Sequence, residues 1–169
     1  MRSSLVTSAA LGLLLLGASL TGGSALAAGG GGGMTGGISG PRSDAKAEYQ
    51  RGMAALQAGY YREAADSFRR VLEIRPSDAG VWYMLGYAEA RGGDVSGAER
   101  AYARSVALDS EPIEPHRDLA VVLAKLKHKD RGAVQLDLLK ARASACHDAC
   151  PDAAVLKAAI DTVEAALSL

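Results

Sequence analysis

Matching residues recur in this chain at a fixed spacing of 34: Gly52 with Gly86, Ala64 with Ala98, and Phe68 with Tyr102. The same shift carries Tyr49 to Tyr83, Ala54 to Ala88, Gly59 to Gly93 and Arg70 to Arg104. A period of this length belongs to repeat architectures built from helix pairs. Each unit buries its apolar face against its neighbours, so the array presents an extended surface rather than an enclosed pocket. The expectation is a chain that binds another chain and is not an enzyme.

The segment in front of the repeats has a different character. One cation, Arg2, precedes an uncharged run from Leu5 to Leu20 that is most apolar over Leu11–Leu16. Ser24-Ala25-Leu26-Ala27 then offers an Ala-x-Ala exit. Charge, apolar run and small-residue exit together predict a secretory signal peptide over 1–27, cut after Ala27. The competing reading is a retained membrane anchor. The run is shorter than the roughly 20 residues a span needs, and Thr7, Ser8 and Ser19 dilute it. No stable membrane span is expected after cleavage, and the expected location is periplasmic or secreted. Residues 28–42 are dominated by glycine, including Gly29 to Gly33, and read as a flexible linker. They lack the Lys-Ser/Thr ending and the preceding strand of a phosphate loop. Lys plus Arg and Asp plus Glu both number 19, and loss of Arg2 would leave the mature chain one charge negative. No bulk positive field is present to recruit nucleic acid.

The repeats extend over 43–146, in units of 45–78, 79–112 and 113–146. Small residues at Gly52, Gly86 and Ala120 allow two helices to cross closely, and Ala64, Ala98 and Gly132 do so from the second helix. Phe68, Tyr102 and Leu136 fill the space thus opened, as close-packed helix interfaces require. Gly59 and Gly93 fall where a first helix must end. Ser43, Ser77, Asp94 and Ser110 are expected N-caps, with Pro112 in a first turn. Helices are predicted near 44–58, 61–74, 78–91, 95–108, 112–127 and 131–144, with no sheet. A seventh amphipathic segment within 147–169 carries Val155, Leu156, Ile160, Val163 and Leu167 over 151–167, opened by Pro151 and Asp152. It is expected to cap the apolar end of the array. The fold class is therefore all-α, a short α-solenoid of three helix pairs with a C-terminal capping helix.

These units resemble tetratricopeptide repeats. The second unit carries Trp82, Leu85, Gly86, Gly93, Ala98 and Tyr102 in the family's register, with Ser110 in place of the late proline. The first carries Gly52, Gly59, Ala64, Phe68 and Pro76 but has Glu48 and Arg51 where a large apolar residue and Leu belong. In the third, Leu119, Ala120, Gly132 and Leu136 keep register and Lys127 replaces the mid-repeat glycine. The resemblance implies a concave groove lined by the first helix of each pair. Its positions are Lys46, Tyr49, Met53, Leu56 and Gln57 in the first unit. In the second they are Tyr83, Tyr87 and Arg91 beside Gly80 and Ala90, and in the third Glu114, Arg117, Val121 and Lys125. Tyr49, Met53, Tyr83 and Tyr87 would form an apolar, partly hydroxylated strip, and Arg91, Arg117 and Lys125 a positive end. Such a strip suits an extended or helical peptide with an apolar anchor and an acidic group or C terminus. Packing of Tyr49 and Tyr83 between repeats is the alternative use of those rings. The chain has no asparagine, so the asparagine-lined carboxylate clamp of some relatives is absent. The implied role is a scaffold or adaptor with a protein or peptide partner; self-assembly into a homo-oligomer is the alternative.

Cys146 and Cys150, the two cysteines, lie at the joint before the capping helix. In an oxidising compartment they are expected to form a disulfide. Free thiols, or a metal or redox role with His147, remain the other options. The spacing is neither Cys-x-x-Cys nor Cys-x-x-Cys-His, and a structural zinc site wants four ligands. No nucleophile elbow, His-Glu-x-x-His or acidic metal loop occurs. Glu111 and Glu114 near Asp109 are read as helix N-terminal acids, and the run Lys125 to Lys129 as helix C-terminal cations. No cofactor is expected.

Overall fold

The computed structural model describes residues 44–146 and 150–169. The expected leader 1–27, the glycine-rich linker 28–42, Ser43 and His147 lie outside the described residues. Seven α-helices follow in order: α1 Ala45–Gln57, α2 Tyr61–Ile74, α3 Ala79–Gly92, α4 Val95–Leu108, α5 Ile113–Lys125, α6 Lys129–Cys146 and α7 Ala153–Ser168. No strand occurs among the described residues. The pairs α1/α2, α3/α4 and α5/α6 are the three repeats, and α7 packs on both α5 and α6.

Local chemistry sets the ends. Asp44, Asp78 and Asp94 occupy cap positions, and each side chain accepts a backbone N–H of its helix's first turn. Asp94 was expected; Asp78 takes the role expected of Ser77, because α3 begins at Ala79 and only the residue directly before it can reach the free N–H groups. Ser110 does not cap α5 either. Pro112 stands at that position in extended backbone, and Pro115 is the proline inside the first turn. Gly59 and Gly93 adopt left-handed backbone, φ 79° and 89°, just past α1 and α3.

The core runs along the array as three clusters. One joins α1, α2 and α3 through Ala64, Phe68, Val71 and Leu85. The next joins Ala98, Tyr102, Leu119 and Leu123. The last sets Ile113, Ala120 and Leu139 against Leu156, Ala159 and Val163 of α7. The large-and-small interlock is sterically tight. A methyl group at Gly52 would lie 2.7 Å from the Phe68 ring, and one at Gly86 would lie 2.6 Å from the Tyr102 ring. In the third repeat the filler is the smaller Leu136, and there alanine stands at the crossing, as Ala120. Trp82 is half-buried against the first cluster, and its indole N–H donates to the Pro76 carbonyl at 2.8 Å.

Candidate functional site

The first helices, α1, α3 and α5, carry the groove positions, and the structure divides them into two kinds. Tyr49 is half-buried and meets the Phe68 ring edge-on, with centroids 5.9 Å apart. Met53 packs beside it on the first core cluster. Tyr83 tilts against Tyr102 at 5.6 Å. Both tyrosines therefore spend much of their area on packing between helices.

The Tyr83 hydroxyl donates to Asp118 Oδ2 at 3.0 Å, and Arg117 Nε donates to Asp118 Oδ1 at 2.7 Å. Burial, and then the Asp118 carboxylate, push the Tyr83 phenol far above its ordinary range, so it stays a neutral donor. The hydrogen bond to Asp118 likewise raises Arg117. Asp118 was missing from the sequence reading, and it changes the role of Arg117. The expected free cation is paired with a carboxylate and fastened into a Tyr83–Asp118–Arg117 network.

Tyr87 and Arg91 are the other kind. Tyr87 is 38% exposed. The Arg91 guanidinium lies 6.0 Å from its ring centroid and 5.5 Å from that of Tyr61, and it donates to the Tyr61 hydroxyl at 3.2 Å. Two aromatic faces thus hold an exposed arginine in place before any partner arrives. Tyr61 opens α2, and the 34-residue shift carries it to Val95, so the repeat pattern gave no sign of its role. Lys125 ends α5 and is exposed.

Two carboxylates are buried, Glu48 and Glu89, the first of them where the repeat pattern has a large apolar residue. Glu48 is 6% exposed and accepts from Arg51 at 2.6 Å and Arg70 at 2.8 Å. The bond from Arg70, aided by Arg51, holds its carboxyl below the usual range against the opposing effect of burial. The departures at Glu48 and Arg51 are therefore one compensated ion pair. Glu89 accepts from Arg69 Nη2 at 2.6 Å through Oε1. Here burial outweighs the arginine and raises the carboxyl. Its Oε2 has no hydrogen-bond partner among the described residues; an unmade buried acceptor costs about 1–3 kcal/mol.

The remaining candidates lie between α5, α6 and α7 or at their ends. His116 is buried, with Nε2 donating to the Ser110 carbonyl at 3.1 Å and Nδ1 meeting the Gln135 side-chain amide at 2.7 Å. Glu111 hydrogen-bonds through its backbone to Asp109 and Arg142. Cys146 and Cys150 lie within disulfide range, Cα–Cα 5.4 Å. Asp152 brings a carboxylate within 4.8 Å of both sulfurs, which makes three candidate ligands among the described residues where a structural zinc site has four. No helix among the described residues is long and apolar enough to cross a membrane.

A model of the tetratricopeptide repeat family matches residues 49–111. No curated protein matches the chain. Among solved structures it is similar to MamA (41-end) from Desulfovibrio magneticus RS-1, at 24% identity over 56% of this chain and 54% of that one, TM-score 0.53. The chain spans about half the length of this structure and of a second MamA structure, the RS-1 ArsTM double mutant. A chain of the CopN-Scc3 complex is similar at 21% identity over 69% and 66%, TM-score 0.62. So is the TPR2B domain of yeast Sti1 in its complex with pHsp70, at 12% over 71% and 95%, TM-score 0.60. These likenesses show the fold.

Proposed function

This chain carries a tetratricopeptide repeat array, and from that premise we propose that it binds a segment of a protein partner along α1, α3 and α5, with Tyr87 and Arg91 as anchors. Tetratricopeptide domains are protein-interaction modules, and two of the similar structures are named as complexes with a protein or peptide. The observation that carries the reading is the exposed Arg91 held between Tyr87 and Tyr61. Tyr and Arg supply large contact area with a polar handle, and a preset geometry loses less freedom on binding. The fitting partner segment has an apolar side chain for the Tyr87 ring and an acidic group for Arg91. Tyr83, kept neutral, serves packing and can lend only its exposed edge. The domain works as a scaffold or adaptor without chemistry of its own.

Export to the cell envelope belongs to the same proposal. It is supported by the leader pattern ending at Ala27 and by two cysteines at bonding distance, since paired thiols persist in oxidising compartments.

Tyr87→Ala with Arg91→Ala tests the anchor pair. Both side chains are exposed, so the melting temperature is expected to stay within a few degrees of wild type. Capture of the partner from envelope extract, followed by crosslinking and mass spectrometry, is expected to fall at least about tenfold, as loss of an anchor does. Unchanged capture of the same proteins would sink the anchor assignment.

A further inference from the structure

The groove between successive second helices changes character from one repeat junction to the next. Where α2 and α4 flank α3, its lining includes four charged residues, Arg69, Glu73, Glu89 and Arg100. Where α4 and α6 flank α5, the 34-residue shift turns those four into Ala103, Ala107, Leu123 and Val134. The same shift carries Arg104, on the next turn, to Leu138. One polar residue enters in exchange: Arg131 stands where the first groove has Gly97, and it is tied to Glu99 at 2.5 Å.

The second groove is a cleft of about 300 Å³ floored by Leu119 and Leu123 of α5. On its α6 side Val134 is 55% exposed and Leu138 50%. Single exposed apolar residues are ordinary, but a run of them beside an apolar cleft marks an interface. The two sides differ in size. The α6 side presents the large Val134 and Leu138, and the α4 side the small Ala103 and Ala107. They also differ in charge. Arg104 borders Ala107 one turn away on α4, and Asp137 borders Val134 one turn away on α6. Both are exposed and unpaired among the described residues, whereas the neighbouring Arg131 and Lys140 are each paired with a glutamate.

We propose that this face seats a second copy of the chain. With a two-fold axis along the helices, α4 of each copy lies over α6 of the other. Asp137 is 34 residues beyond Ala103, so Arg104 meets the other copy's Asp137 at nearly the same level of the repeat. Val134 and Leu138 fill the space left by Ala103 and Ala107, the same large-on-small match that closes each repeat internally. Size and charge that complement each other on one face select a second copy over an unrelated apolar helix. The contact uses second helices, so the Tyr87–Arg91 anchor on α3 stays uncovered and either reading can fail alone.

Sedimentation velocity of the purified chain over a concentration series is the test, and a monomer–dimer equilibrium is expected. Val134→Arg with Leu138→Arg restores the charges that the first groove carries at these positions. Both sites are exposed, so helicity and melting of the monomer are expected to hold while dimer affinity falls at least about tenfold. Arg104→Asp is expected to weaken the dimer a few-fold by setting like charges together, and adding Asp137→Arg to restore it. That charge swap decides the matter if the arginine pair disturbs folding. A chain that is monomeric at every concentration, an association that the arginine pair leaves intact, or a swap without rescue overturns the proposal. So does a monomeric chain that holds a different protein at this face and releases it in the arginine variant.

Discussion

Lys127 takes left-handed backbone, φ 63°, and among the described non-glycine residues no other has positive φ. It stands where the other two repeats place Gly59 and Gly93. The third repeat therefore keeps the turn and tolerates strain: a side chain in this conformation costs about 1–2 kcal/mol. Lys127→Gly relieves that strain at a smaller cost in unfolded-chain freedom. It is expected to raise stability by about 0.5–1 kcal/mol, read from the urea midpoint at unchanged slope; a lower midpoint would refute the strain account. The position was legible as a departure from the repeat, but its backbone conformation was not. Glu48 shows the opposite limit. Its sequence marks a misfit, and only the approach of Arg70 from α2 explains why a charge can stay buried there.

At the scale of elements, α7 is the piece whose role rests on neighbours. Its sequence predicts an amphipathic helix, and its buried face of Leu156, Ala159 and Val163 meets α5 and α6. Polar contacts reinforce the docking. Lys140 pairs with Glu164 at 2.6 Å, and Arg142 pairs with Asp152 at 2.6 Å while also donating to the Glu111 carbonyl. The helix was expected to open at Pro151, yet Asp152 faces Arg142 instead of capping its own N–H groups. The cysteines lie at this hinge, and α6 runs on to Cys146, two residues beyond the expected end. A bond between them closes a very short loop, worth about 2 kcal/mol at most. Cys146→Ser with Cys150→Ser is expected to cost no more than that, with α7 still docked by its apolar face. Guanidinium unfolding with and without reductant checks it: a larger loss would mean that the joint, not the apolar face, holds the cap.

Across the whole molecule, each helix packs mainly on its neighbours in sequence, with α7 returning to α5 as the exception. Stability in such an array is close to a sum of local terms. Removal of 151–169 exposes Ile113, Ala120 and Leu139. Amide exchange is then expected to accelerate in α5 and α6 while α2 and α3 keep most of their protection. Uniform acceleration along the chain would show a single cooperative unit instead. The sequence by itself determined the helix pairs, their register and the packing residues Gly52, Phe68, Gly86, Ala98 and Tyr102. These follow from short-range periodicity and from a size match repeated every 34 residues. It also marked the first-helix positions Tyr87 and Arg91. Tertiary structure alone decided which polar groups meet: Asp118 tying down Arg117 and Tyr83, Tyr61 holding Arg91, and Arg69 dividing itself between Asp66 and Glu89. The physical reason is range. Packing size is repeated locally and leaves a period, whereas a hydrogen bond between side chains on different helices depends on crossing geometry and leaves none.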